Sequence, residues 1–241
     1  MEKYVAFDIE TSQKAPDDRA SIGKLDITCV GYYISGEQHT LKSSFYGDFV
    51  QGVGFEVMKE LHINRVVCWL WEHYKQGYQI VSWNGMGFDF PVLAGNASAR
   101  YKERVETIAW GSYDPAFHML CEKGFMIGLG SYAEVNDLGV KTMDGLEAVE
   151  KWSLGFEEQL EVIEYVKHDA LLTARAWEKM NERGAVEWIT RSGKSSVWQP
   201  SKRFLPVEEA YGLPLPDTSW MDNPFKREEF YDWMEHYPAV T

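Results

Sequence analysis

Asp8 and Glu10 stand two residues apart at the end of the apolar run Tyr4-Val5-Ala6-Phe7. In a strand, positions i and i+2 share a face, so both carboxylates project the same way. Side by side they repel, and a bound cation makes such a pair tolerable. In so acidic a chain the pair also has a second reading, chance. Asp89 follows Trp83-Asn84-Gly85-Met86-Gly87-Phe88 and precedes Pro91. It is either a helix cap or an acid delivered by a glycine-bearing loop. Tyr165 and Asp169 are four apart within a helical pattern, hence on one helical face. Asp169 lies beside the apolar stripe of Leu160, Ile163, Leu171 and Leu172, where its alternative is a solvated edge charge. Together the four carboxylates supply the oxygen-rich ligand set that two hard divalent cations, roughly 4 Å apart, require.

The elements that must position these acids follow from periodicity and turn chemistry. Residues 3–10, 26–34 and 38–45 read as strands, the last two joined by Ser35-Gly36-Glu37. Residues 55–76 have helical spacing closed by Gly77, and 78–83 read as a fourth strand. A short strand is expected near 109–113 and a long helix over 156–182, ending at Gly184. Val186–Thr190 and Ser195–Gln199 read as a hairpin around Ser192-Gly193-Lys194. Prolines and aromatics crowd the segment after it. The expectation is an α/β main domain over 1–184 with a hairpin and tail, 185–241, packed on it.

Phe7-Asp8-Ile9-Glu10-Thr11, Trp83-Asn84 to Phe88-Asp89, and Tyr165-x-x-x-Asp169 resemble the three exonuclease motifs of the DEDD superfamily. The resemblance covers about residues 3–180 and is nearest to the proofreading domain of family B DNA polymerases and its stand-alone relatives. It implies a ribonuclease H-like mixed sheet flanked by helices. Tyr165, four before Asp169, matches the tyrosine subclass; Glu164 stands where the histidine subclass has histidine, and His168 is left a structural role. The resemblance further implies a 3′–5′ exonuclease that uses two divalent ions, Mg²⁺ or Mn²⁺, on single-stranded DNA or RNA, DNA favoured. Asp8 would bridge both ions, Glu10 and Asp169 would complete the water-activating site, and Asp89 would hold the second ion. Tyr165 would orient the attacking water, being too weak an acid to serve as an efficient base. The backbone at Ile9 and Thr11 would clamp the terminal nucleotide, with Asn84 and Phe88 as further substrate contacts. Phe88, Phe90 and Trp83 otherwise read as core packing.

Composition both limits and complicates this picture. The chain has 241 residues, 45% hydrophobic, with a net charge of −13. That acidity runs against the basic footprint of a polyanion binder. It favours short or single-stranded substrates over long duplex. Arg183, Arg191, Lys194, Lys202 and Arg203, interleaved with Trp188, Trp198 and Phe204, form the most basic stretch. Arg191, Lys194 and Arg203 are therefore expected to line the substrate path, with a solvated hairpin as the alternative. The acidic segment after 204 is expected to brace the domain or bind a protein partner. No apolar run reaches membrane-spanning length, and no secretion signal precedes the first strand, so a cytoplasmic protein is expected. Cys29, Cys68 and Cys121 are far apart and read as reduced thiols. Two other readings remain: an RNA-trimming exonuclease or oligoribonuclease, and a catalytically inactive nucleic-acid or protein-binding scaffold.

Overall fold

A computed structural model describes residues 2–36, 42–190, 192–201 and 203–235. The chain forms an α/β structure around a four-stranded mixed sheet. Strand β1 (Tyr4–Thr11) pairs antiparallel with β2 (Ile27–Ile34), which pairs antiparallel with β3 (Lys42–Tyr46). Positions 38–41 of the expected third strand lie outside the described residues. A small hairpin follows, β4 (Phe49–Val50) with β5 (Gly54–Phe55). This hairpin delays the expected helix, and α1 runs Glu60–Lys75. Strand β6 (Gln79–Val81) then returns parallel to β1, giving the order β3-β2-β1-β6.

Five helices follow: α2 (Asp89–Asn96), α3 (Ala99–Gly111), α4 (Pro115–Lys123), α5 (Leu129–Val135) and α6 (Gly145–Trp152). The strand expected near 109–113 is a correction. Helix α3 continues to Gly111, and Tyr113 makes one isolated parallel bridge to Val81. Ala109 and Trp110 extend the buried face begun by Val105 and Ile108. A short apolar run cannot tell a buried helix end from a strand. Helix α7 (Phe156–Arg183) is the long helix, closed by Gly184 in the left-handed conformation at φ 64°. The hairpin β7 (Val186–Ile189) and β8 (Ser195–Trp198) and the short α8 (Val207–Tyr211) follow, and 3-10 turns stand at Arg19–Lys24 and Arg227–Phe230.

Alternation along β1 sorts the core into two layers. Val5, Phe7 and Ile9 pack with Ile63 and Val66 of α1, Phe90 of α2 and Val105 of α3. Tyr4 and Ala6 pack on the other side with Leu172 and Trp177 of α7. Asp8 and Glu10 continue that second face by the strand's two-residue period. Segments beyond 185 enter both layers: Trp198 and Phe204 join Trp177, while Phe230 and Met234 join the core around Phe7. Among the described residues no helix is long and apolar enough to cross a membrane. Cys29 and Cys121 are buried free thiols, and Cys68 is partly exposed.

Candidate metal centre

Where β1 runs past the end of β6, its second face opens into a cleft of about 520 Å³. Asp8 pairs with Gly31 and Glu10 with Cys29 across to β2, fixing both acids in register. Gly31 is what lets α7 close over them. A Cβ there would lie 2.2 Å from the Val166 carbonyl oxygen, well inside contact distance. With only hydrogen in that place, α7 settles on the sheet and sets Tyr165 and Asp169 opposite Asp8. Asp8, Glu10 and Asp169 then offer ligand oxygens that all lie within 4.8 Å of one another. Asp89 lines the same cleft but is not part of that close group.

Asp89 is the first residue of α2, not its cap, and is 2% exposed. The loop that delivers it is held from three sides. Buried Asp114 caps α4 through the Phe117 N–H and also accepts from the N–H groups of Asn84 (2.9 Å) and Met86 (3.0 Å). Asn84 sits at φ 65°, and Gly87 passes so close to Asn84 Oδ1 and the Phe230 ring that a Cβ would clash. From the tail, the Trp233 indole N–H donates to the carbonyls of Met86 (3.3 Å) and Phe230 (2.9 Å).

The electrostatics are those of acids crowded without enough counter-charge. Burial, reinforced by Asp169 and only partly offset by Lys141, pushes the Asp8 carboxyl from 3.8 to about 7. Burial, then Asp8 and Asp169, hold Glu10 well above its usual range. Asp89 is likewise raised, by burial and then by Asp8 and Asp114, against hydrogen bonds from its own N–H and that of Ile9. Burial and then Asp169 raise the Tyr165 hydroxyl, which keeps its proton and acts as a donor.

Lys141, which the sequence did not mark, is the cation at the centre of the site. Its Nζ lies 2.5 Å from Asp169 Oδ2 and 3.3 Å from the Tyr165 hydroxyl. Burial lowers its pKa, but Asp8 and Asp169 outweigh that and hold it above the usual lysine value. The loop bearing it is tied to α7, with His168 Nε2 3.1 Å from the Val140 oxygen and Arg175 donating to the Leu138 oxygen. His168 thus has the structural role expected of it.

The donor set fits hard divalent cations. It is oxygen-only, and Asp89 Oδ1 and Asp169 Oδ1 are buried with no hydrogen-bond partner. A buried carboxylate oxygen without a partner is costly, and a cation would satisfy it.

The remaining expected site residues divide. Ile9, Thr11, Asn84 and Phe88 line the cleft. Trp83 lines it too, held by its indole N–H on the Ile127 oxygen and stacked on Tyr132. Lys194 and Arg203, expected along the substrate path, do not line the cleft. Lys194 is in the turn of the β7–β8 hairpin, and Arg203 makes a two-pronged ion pair with Glu209 at 2.7 and 3.0 Å. That hairpin follows the C-terminal end of α7, about 20 Å of helix axis beyond Asp169. Arg191 lies outside the described residues. No protein-family model and no curated protein matches the chain.

Proposed function

We propose that the protein is a metal-dependent 3′–5′ exonuclease of ribonuclease H-like fold, acting on single-stranded nucleic acid, with DNA favoured. The observation that carries this reading is the convergence of Asp8, Glu10 and Asp169 within 4.8 Å, with Asp89 and Tyr165 on the same cleft. The sheet order β3-β2-β1-β6, with β6 parallel to β1 and Tyr113 bridging beyond it, supports the fold reading.

Asp8, Glu10 and Asp169 would hold one cation, and Asp89 with Asp8 a second. Divalent ions there supply activation of the attacking water and charge stabilisation at the leaving oxygen. The chain's own groups do the rest. Tyr165, protonated throughout the working range, donates to the nucleophile and orients it. Lys141, tethered through its loop, neutralises Asp169 and presents its remaining N–H donors to a phosphate oxygen. Ile9, Thr11 and Phe88 wall the space for the terminal nucleotide, and α2 and α7 exclude bulk water from the acids.

One observation favours a second reading, a binding module without catalysis: the Lys141 ammonium already neutralises Asp169. The two separate in one assay. With Mn²⁺ or Mg²⁺ and 5′-labelled single strands of DNA and RNA, the exonuclease yields a ladder shortening from the 3′ end. Asp8→Asn and Asp169→Asn should each lower the rate on the order of 10³-fold, the scale of losing one preorganised charge stabiliser. Their circular dichroism should match the parent. Binding without cleavage would support the module, and variants with parental rates would refute the metal site.

A further inference from the structure

The cleft is poor in cations, and its surroundings are acidic. Its lining holds Lys14 and Lys141, against Asp8, Glu10, Asp89 and Asp144. Four positive charges from two divalent ions would do no more than cancel Asp8, Glu10, Asp89 and Asp169. With Asp169 cancelled by the ions rather than by Lys141, Lys14 and Lys141 are left to meet phosphates, against the one remaining acid Asp144, which caps the first turn of α6.

Beyond the cleft the charge turns negative on both flanks. Tyr165 is a wall shared with an adjoining depression lined by Glu157, Glu161 and Glu164. Two bases offset part of this charge, Lys151 of the same lining against Glu147 and Glu161 and Lys167 against Glu164, and with Glu157 the four acids still outnumber the two bases. On the other flank, Gln13 of the cleft is bonded to exposed Asp26, and exposed Asp17 and Asp18 follow Lys14. Of the described bases of the hairpin region, Arg183 and Arg203 are paired with Glu187 and Glu209, and Lys194 sits in the hairpin turn; none of the three lines the cleft. A strand that overran the cleft would carry its phosphates onto carboxylates.

We infer that the substrates of this site are short single-stranded oligonucleotides of a few residues, taken in preference to long strands or duplex. The inference rests on the exonuclease reading above and specifies its substrate class. Attraction is confined to about two phosphates, and each further phosphate within a Debye length meets repulsion. For single strands the salt slope is about 0.7 per neutralised phosphate, so a trimer should show a slope near −1.4 in log affinity against log salt. A long strand should behave differently, because salt also screens its repulsion.

The test measures KM for labelled trimers and 20-mers, deoxy and ribo, with Mn²⁺ at about 20 and 300 mM salt. The expected result is a KM for the 20-mer several-fold above that of the trimer at low salt, converging at high salt as screening takes over. The deoxy and ribo arms identify which sugar the site accepts. In the double variant Glu157→Lys, Glu161→Lys, the 20-mer KM at low salt should fall about fivefold while the trimer KM holds. Cleavage with a KM that falls as length grows, or a salt slope steepening with length, would overturn this inference and leave the exonuclease reading standing. No cleavage at any length would overturn both.

Discussion

At the scale of single residues the site is an unfavourable crowding of carboxylates that Lys141 only partly offsets. Asp8 at about 7, with Glu10 and Asp89 also raised, keeps protons that an unfolded chain has released. From about pH 4 to 7 the folded state therefore binds more protons than the unfolded one, and stability falls as pH rises through that window. His118 works in the opposite direction. Burial lowers its pKa to about 4, so stability rises with pH between about 4 and 6.5. The several raised acids outnumber this one imidazole. With EDTA, melting temperature should be higher at pH 5 than at pH 8. Mn²⁺ should raise it at pH 8 far more than at pH 5, because ligation requires deprotonated acids. Asp8→Asn should flatten both effects. Differential scanning fluorimetry reads all of these, and a Mn²⁺ shift equal at the two pH values would contradict the account.

At the scale of elements, Gly31 couples the sheet to α7. It pairs with Asp8 in β1 and gives the Val166–Lys167 backbone room to approach. Gly31→Ala drives a methyl into backbone, which cannot rotate away as a side chain could. The expected cost is about 1–3 kcal/mol of stability. The shift of α7 should also lower activity more than tenfold, since an ångström of misplacement at a reacting centre costs on that order or more. Denaturant unfolding and initial rates measure the two losses. A variant as active as the parent would show that α7 does not need this contact. The loop before Asp89 depends on several elements at once: α4 through Asp114, the tail through Trp233, and its own glycines.

At the scale of the whole molecule, the chain after 204 is part of the core. Leu205, Val207, Phe230 and Met234 are buried in the layer around Phe7 and Phe90. Buried Arg227 donates to the carbonyls of Tyr211, Leu213, Cys121 and Pro214. At about 1.5–3 kcal/mol for each large apolar side chain, removing the tail costs on the order of 10 kcal/mol. That is comparable to the whole stability of an ordinary domain. Truncation after Phe204 should leave a chain without cooperative thermal unfolding. A truncated protein that melts near the parent temperature would mean the tail is an accessory. Under the proposed function the overall acidity would act at this scale too, limiting which polyanions approach the cleft.

Much of this was legible along the chain. The alternation at Tyr4–Thr11 placed Asp8 and Glu10 on one strand face, and a spacing of four placed Tyr165 and Asp169 on one helix face. The long helix with its Gly184 stop and the hairpin after it were likewise readable. Such signals come from neighbours in sequence, where strand and helix periods dictate direction. Packing alone decided the rest. Lys141 reaches Asp169 across 28 residues and Trp233 reaches Met86 across 147, and neither partner carries a local signal. The basic hairpin, suggestive by composition, follows the far end of α7, and Arg203 beyond it is paired with Glu209. Composition counts charges but does not place them. Local order set which acids could meet, and the closure of α7 over Gly31 decided that three of them do.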